Sequence, residues 1–521
     1  MYTQIDPENG SISFTYDVAG NLLTKTDRNG TLFNYTNDAL GRVWKIHATP
    51  AGGSKTLLEE HAYTRMNAPR RDTNDTLTVD QFYDDRGNLI KVTESDGIEK
   101  NYTYDLDNNR LSSIIKKNGV ITNHTVYTYD ILGRMTTVKE NGAPQATYTY
   151  DANGNRASVT YANGAQTSYT YNRANLVTGV YNGKKNNSTA YGSYTYTYQL
   201  DGNQRTKTDK NGTTTAYSYD KAGRLWMEAV TPLGAAQALT TDTYTYDDYG
   251  NRDIMFQNGV MTEHFYDRRN RLTRTYKSDG IVEEETLYTY DANGNELTKA
   301  VEIIEPGNSS YTEQFSVLSN TSYAQVNRYD LQNRLIESIS TNDTVSYTYR
   351  PDGLRYDKTT DGEGTRHIWD GSSIVGDLSV SQSGEVELKA GYVRGIGLIA
   401  QKDIENNGYN YYLFNGHGDT TGLLNSDGAI LWSYDYTAFG VEKDVTSNQN
   451  HAQPDNPFRY CAEYYDTETE TIYLRARYYN PVTARFSAED PVGNGLNWYT
   501  YLYDREDILR KSLVLICFVV I

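Results

Sequence analysis

The octapeptide Tyr-Thr-Tyr-Asp-Ala-Asn-Gly-Asn occurs twice without a difference, at residues 148–155 and again at 288–295. In an extended chain successive side chains alternate sides, so Tyr148 and Tyr150 present both rings on one face. Asp151 stands where a carboxylate can accept hydrogen bonds from the backbone two residues on. Gly154 stands where the chain needs the left-handed region, as in a four-residue loop built on a type I turn. Tyr150, Asp151 and Gly154, with Tyr290, Asp291 and Gly294 in the second copy, therefore read as a structural turn motif.

Degenerate copies support that reading. Tyr-Asp followed three residues later by Gly-Asn or Gly-Arg recurs at Tyr16, Tyr83, Tyr129, Tyr219 and Tyr246, with weaker copies starting at Tyr35, Tyr104, Tyr171, Tyr198, Tyr266, Tyr329 and Tyr349. From Tyr83 to Tyr219 the commonest step is about 21 residues, the signature of a repeat architecture. So many copies exclude a catalytic dyad, which an enzyme needs once. A second signal runs out of phase: Asn-Gly or Asp-Gly at Asn29, Asp96, Asn118, Asn141, Asn163, Asn211, Asn258 and Asp279. Asn-Gly between alternating segments predicts a type I′ hairpin turn. Each period then holds two turns and two strands, and stacked hairpins would carry ladders of tyrosine pairing across strands, each pair contributing roughly 0.2–1 kcal/mol. The predicted class is all-β, a long curled sheet of antiparallel hairpins.

Composition agrees. The 521 residues include 49 Tyr and 42 Gly, against 11 Phe and 5 Trp. Low hydropathy with a net charge of −18 points toward disorder, but disordered chains are poor in aromatics. The acidic balance argues against nucleic acid as the main partner, since phosphate recognition needs a basic surface. Two cysteines, Cys461 and Cys517, cannot make a disulfide framework. The start of the chain has neither a basic n-region nor an apolar h-region. The apolar end, residues 512–521, has about half the length of a membrane span; a frameshifted ending, a final strand and an anchor are its three readings.

The repeat resembles the RHS/YD-repeat family. The stretches "YYLFNGHGDTTGLLNSDGAILWSYDYTAFG" (411–440) and "EYYDTETETIYLRARYYNPVTARFSAEDPVG" (463–493) are similar to the RHS-repeat-associated core domain. That resemblance implies a sheet spiralling into a hollow shell, closed by the core, that encapsulates a C-terminal toxin; in some members aspartates of the core cut the chain just after it. Implied partners are that toxin, its immunity protein or a secretion apparatus, with cell-wall or surface glycans as a further class. The chain departs from the pattern after Asp490-Pro491-Val492-Gly493: "LNWYTYLY" (496–503) gives way to "DREDILRKSLVLICFVVI", without a second Asp-Pro element or a toxin. Tyr478-Tyr479-Asn480-Pro481 also carries Asn where the family has Asp. The expected organisation is YD repeats over 1–360, a linking β segment over 361–405, the core over 406–503 and a divergent apolar tail over 504–521. The pattern reads as a C-terminally truncated member, secreted or cell-surface in the parent protein and cytoplasmic as encoded here.

Candidate chemistry is sparse. Asp490 is the single candidate for self-cleavage, with Arg477 and Arg485 placed to orient it; a turn at Asp-Pro is the alternative. His417-Gly418-Asp419 suggests metal or acid–base work, but without an HExxH or Cys/His cluster a hairpin turn explains it. Residues 395–400 fit GxGxxA yet lie among strands, which predicts close backbone approach rather than dinucleotide binding. Asn101 and Asn187 begin Asn-x-Ser/Thr triplets in a composition rich in both residue types. No cofactor and no metal is expected. A non-enzymatic toxin shell is the leading reading, with a carbohydrate-binding adhesion protein whose exposed tyrosines stack on sugars, and a self-processing aspartic peptidase, as alternatives.

Overall fold

A computed structural model describes residues 2–8, 10–185, 190–304, 323–404, 406–447, 456–493 and 497–500. The tail over 504–521 and the Asn187 triplet lie outside them. Among the described residues thirty-nine strands, from Tyr2–Ile5 to Glu442–Ser447, form one antiparallel sheet in which each strand pairs with the next. A second sheet of four short strands spans Tyr464–Asp466 to Arg485–Phe486. The helical content of the described residues is one 3-10 turn, Tyr460–Ala462. The all-β expectation holds.

The repeating unit folds as the octapeptide dictates. Strand Ala143–Tyr150 buries Ala146 and Tyr148 and exposes Thr147 and Thr149. In the loop that follows, the N–H groups of Asn153 and Asn155 donate to Asp151 Oδ1 at 2.9 and 2.8 Å. Asn155 Nδ2 donates to Asp151 Oδ2 at 3.1 Å. Gly154 takes φ +88°, which returns the chain into strand Arg156–Tyr161. Desolvation opposes it, but the hydrogen bonds from Asn155 hold the Asp151 carboxyl below its ordinary range.

Two expectations need correction. Of the eight Asn-Gly and Asp-Gly sites named above, only Asn118-Gly119, Asn141-Gly142 and Asn258-Gly259 have positive φ at both residues, the type I′ geometry. At Asn29, Asp96, Asn163, Asn211 and Asp279 only the glycine is left-handed. At Asn29 and Asn211 a preceding Asp, Asp27 or Asp209, caps a longer loop of the Tyr-Asp kind. In the repeats of the long sheet tyrosine also does not pair with tyrosine across strands: Tyr127, Tyr148 and Tyr169 face Val138, Val159 and Val180, whereas the small sheet does pair Tyr464 with Tyr473 and Tyr473 with Tyr478. In a simple meander the Tyr-x-Tyr strand of each unit neighbours the unit's other strand, so these tyrosines face non-aromatic residues, Val in the three pairs above and Lys207, Glu228 and Lys299 opposite Tyr196, Tyr217 and Tyr288.

The tyrosines act along the sheet instead. The hydroxyls of Tyr104, Tyr150, Tyr219, Tyr290 and Tyr349 each donate to the carbonyl that opens the preceding strand, at 2.6–2.9 Å. Where a repeat ends in Gly-Arg, the arginine bonds its own loop Asp and lies over the next repeat's tyrosine. Arg134 is 2.7 Å from Asp130 and 4.5 Å from the Tyr150 ring centre; Arg224 does the same with Asp220 and Tyr246. Where it ends in Gly-Asn, the amide reaches the next loop, as Asn155 Nδ2 does to Asn175 Oδ1 at 2.9 Å.

The ribbon coils until its second turn lies on its first. One buried cluster joins Val138, Tyr148, Val159 and Tyr161 to Val393, Ile399, Tyr411 and Leu413. A second joins the inner face of the later strands (Tyr347, Trp369, Tyr412, Trp432) to the four-stranded sheet (Tyr464, Ile472, Tyr473, Tyr478, Phe486). Strands within 361–405, such as Ser373–Val380 and Val386–Gly395, continue the same ladder.

Candidate functional site: the seam and the closing segment

Successive hairpins put Tyr-Asp loops along one edge of the ribbon and the other turns along the opposite edge. At the seam between coils the Tyr-Asp edge of the second coil sits on the opposite edge of the first. Asn293, at the tip of the second octapeptide, accepts from Arg28 N–H at 3.0 Å and donates to Asp27 Oδ2 at 2.8 Å. Asn74 donates to the Tyr349 carbonyl and Arg350 pairs with Glu94 at 2.7 Å; further along, Asn163 donates to the Asn425 carbonyl, where both residues lie in turns on the other edge of their coils. Partners along the seam are separated by 215 residues (Glu228 and Lys443) to 275 residues (Asn74 and Tyr349). Glu94, between Lys100 and Arg350, is pulled down to about 2 against the desolvation that opposes it.

The two identical octapeptides therefore have different surroundings. Asn153 and Gly154 are exposed, whereas Asn293 and Gly294 are buried. The Gly294 carbonyl accepts from Tyr499 Oη at 2.8 Å, and the Tyr290 and Tyr499 rings meet edge to face. On the first coil the loop tips Val18, Leu106, Ile131 and Leu200 are fully exposed.

The closing segment reaches both coils. Glu489 pairs with Arg28 at 2.7 Å and Arg269 at 2.6 Å, and Asp6 lies 2.8 and 3.3 Å from the same two guanidiniums. Two acids and two arginines, nearly buried, thus join the first strands, the second coil and the closing segment. Asp490 is the next residue. Its Oδ1 accepts from Val492 N–H at 2.8 Å, its carbonyl accepts from Gly493 N–H, and its Oδ2 lies 3.4 Å from Arg477 Nη2. Burial lowers the Arg477 guanidinium to about 10, and Asp490 opposes that shift. Arg485 is elsewhere: it donates to Asn251 Oδ1 at 2.9 Å and to the Asn270 carbonyl, so it anchors the small sheet to the wall.

The other candidates separate cleanly. In the 395–400 stretch Ile396 N–H donates to Tyr148 Oη at 3.3 Å, and a Cβ on Gly395 would stand 2.6 Å from that oxygen. This is the close approach the glycines predicted. His417 Nδ1 lies 2.8 Å from Asp419 Oδ1 and 3.8 Å from Cys461 Sγ. No motif around His417 pointed to Cys461, which is 44 residues further on. The repeat tyrosines Tyr148, Tyr196, Tyr244 and Tyr288 are buried, while the exposed rings include Trp44, Phe82, Trp226 and Tyr249. No helix among the described residues is long and apolar enough to cross a membrane.

Comparison with known proteins follows this geometry. The family model described as Teneurin YD-shell matches residues 110–227. The tRNA3(Ser)-specific nuclease WapA of Bacillus spizizenii is 30% identical over 413 residues, 77% of this chain and 16% of that protein. The double-stranded DNA deaminase toxin A of Burkholderia cenocepacia is 24% identical over 268 residues, 50% of this chain and 16% of that protein. This chain thus spans about a sixth of the length of these relatives. The solved structure of TcdB2-TccC3-TEV superposes with a TM-score of 0.74 at 17% identity, over 96% of this chain and 27% of that one.

Proposed function

Because this chain belongs to the RHS/YD-repeat family, we propose that its coiled ribbon is the wall of a toxin shell, a non-enzymatic scaffold that encloses a C-terminal toxin domain. Residues 1–360 supply the repeats, 361–405 link them to the core, and 406–503 close the wall. The observation that carries this reading is the closing segment, whose Glu489 bridges Arg28 of the first coil and Arg269 of the second. A segment used only as one more pair of strands has no need to reach both. The enclosed toxin is the primary partner, with its immunity protein or a secretion apparatus as further ones, and the parent protein is secreted or at the cell surface.

The test is protection. A protease-sensitive reporter joined downstream of the chain should resist digestion until the wall is denatured. Cleavage at the rate of the free reporter would sink the reading. The purified chain should leave RNA, DNA and peptide substrates intact. For Asp490 we propose a capping role, in which it holds the 490–493 turn against Arg477. An intact mass for the wild-type chain fits that role; a truncated product that disappears in Asp490→Asn would assign self-cleavage instead.

A further inference from the structure

The loop 415–419 is a Tyr-Asp loop with its polarity reversed. Asn415 takes the place of the capping Asp, and its Oδ1 accepts from the N–H groups of His417, Gly418 and Asp419 at 2.9–3.1 Å. The carboxylate has moved to the last position. Asp419 is buried, and Asn415 Nδ2 fixes its Oδ2 at 2.7 Å. The other oxygen, Oδ1, faces His417 Nδ1 at 2.8 Å and accepts from Cys461 N–H at 3.1 Å.

Cys461 is brought there by an unusual turn. It has φ 52° and ψ 22°, and Ala462 follows at φ 54°. Two successive left-handed residues that are not glycine cost on the order of 1–3 kcal/mol each, and such strain concentrates at functional sites. The turn is fastened to the loop, since Thr420 N–H donates to the Arg459 carbonyl at 3.0 Å. Its product is a thiol 3.8 Å from the His417 imidazole. One ligand atom from each of the three residues lies within 4.8 Å of the others.

We propose that His417, Asp419 and Cys461 bind a borderline-soft divalent cation of the zinc class. Metal–ligand bonds of about 2.0–2.3 Å in tetrahedral geometry place N, O and S ligands about 3.3–3.6 Å apart. The thiol–imidazole distance is already near that value. The imidazole–carboxylate pair must open by about 0.5 Å, and His417, with 54% of its side chain exposed and its ring 5.4 Å from Tyr460, has room to do so. Sulfur and imidazole select zinc over magnesium or calcium. Asn415 orients the carboxylate ligand through its remote oxygen. On binding, the Cys461 thiol releases its proton to solvent as the S–metal bond forms. The imidazole Nδ1, which donates to Asp419 Oδ1 before binding, gives up that proton, either to solvent from the imidazolium or by solvent exchange to Nε2 from the neutral ring, and coordinates through Nδ1 with a proton on Nε2. Thiolate and carboxylate then balance the two positive charges, and the exposed side of His417 leaves a fourth position for water. This site is independent of the toxin-shell reading, for it fastens a wall loop to the turn that leads into the small sheet whatever the wall contains.

Cobalt(II) added to the full chain is the probe. The expected result is a thiolate-to-cobalt absorption band that saturates at one equivalent and is displaced by zinc. It should disappear in Cys461→Ser, weaken more than tenfold in apparent affinity in His417→Gln, and persist in Cys517→Ser. Zinc should raise the Tm of the wild type and leave that of His417→Gln unchanged. No band in the wild type, a band that survives His417→Gln undiminished, or one abolished by Cys517→Ser overturns the proposal. The His417→Gln arm decides the matter even if Cys461→Ser fails to fold, because position 417 is half exposed.

Discussion

Arg355 Nη1 and Asp466 Oδ2 meet at 2.5 Å where neither side chain has any surface open to solvent. Arg355 belongs to the wall and Asp466 to the small sheet. Lys358 approaches the other carboxylate oxygen at 3.3 Å, and the Tyr473 and Tyr464 rings lie 4.3 and 4.9 Å from the guanidinium. Tyr473 Oη also accepts from the Arg355 N–H at 2.7 Å. Desolvation opposes ionisation of Asp466, but Arg355 and Lys358 hold its carboxyl below the ordinary range. Removing one partner strands a buried charge. Arg355→Met and Asp466→Asn should each lower unfolding free energy by roughly 3–5 kcal/mol in urea titrations. A loss below about 1 kcal/mol would show that the small sheet is held mainly by its aromatic packing.

The two octapeptides provide an internal control. Gly154→Ala brings its Cβ no closer than 4.0 Å to a neighbour, Arg134 Nη1, and suffers only the left-handed φ, a cost of about 1 kcal/mol. At Gly294 the same change puts a Cβ 2.3 Å from Tyr499 Oη and 2.6 Å from Glu489 Oε1, adding about 1–3 kcal/mol of overpacking. Thermal unfolding of both variants should rank Gly294→Ala clearly below Gly154→Ala. Equal Tm values would mean that the closing segment does not seat on that loop.

His61 sets a pH dependence. Its hydrogen bonds to Asp72 and Glu59 raise it to about 9. A folded-state value above the ordinary 6.5 means that the stabilisation is complete below pH 6.5 and is lost as pH rises through about 9. His61→Gln should therefore lower Tm at pH 6 and match the wild type near pH 10. A deficit that persists undiminished at pH 10 would place the contribution in packing.

The hydroxyl staple along the ribbon can be measured alone. Tyr150→Phe keeps the ring under Arg134 and removes the 2.6 Å bond to the Met135 carbonyl, for an expected loss of about 1 kcal/mol. Native-state hydrogen exchange should show faster opening near strand Met135–Glu140, and unchanged protection there would dismiss the staple.

Local geometry was legible in the sequence because the Asp151 loop is closed by residues within four positions of each other. Substitutes hid some copies. At 64–68 Thr64 caps a loop of the same kind, with Tyr63 Oη on the Val43 carbonyl, yet Thr in place of Asp obscures it. The copy assigned to Tyr35 has its loop at Asp38, where the Asn37 amide reaches the Leu22 carbonyl as a tyrosine hydroxyl would. The seam was not legible, since Asn293 and Asn153 stand in identical octapeptides and only coiling distinguishes them. For the same reason proximity to Asp490 pointed to both Arg477 and Arg485, although only Arg477 contacts it. Cys461 joined His417 through a turn whose left-handed residues are Cys and Ala, types that do not announce such a backbone.

A closed barrel must reconcile strand number, tilt and stagger, so its radius is quantised. This ribbon meets no such condition, because among the described residues its second coil rests on its first through buried side chains and loops, with no strand ladder closing one coil onto the other. One more hairpin lengthens the coil without disturbing a rung already formed. Capacity then becomes a matter of gene length. Duplication of a unit as uniform as the one containing residues 148–155 lengthens the ribbon by increments, and on the proposed shell reading it would enlarge the interior without redesign of the wall.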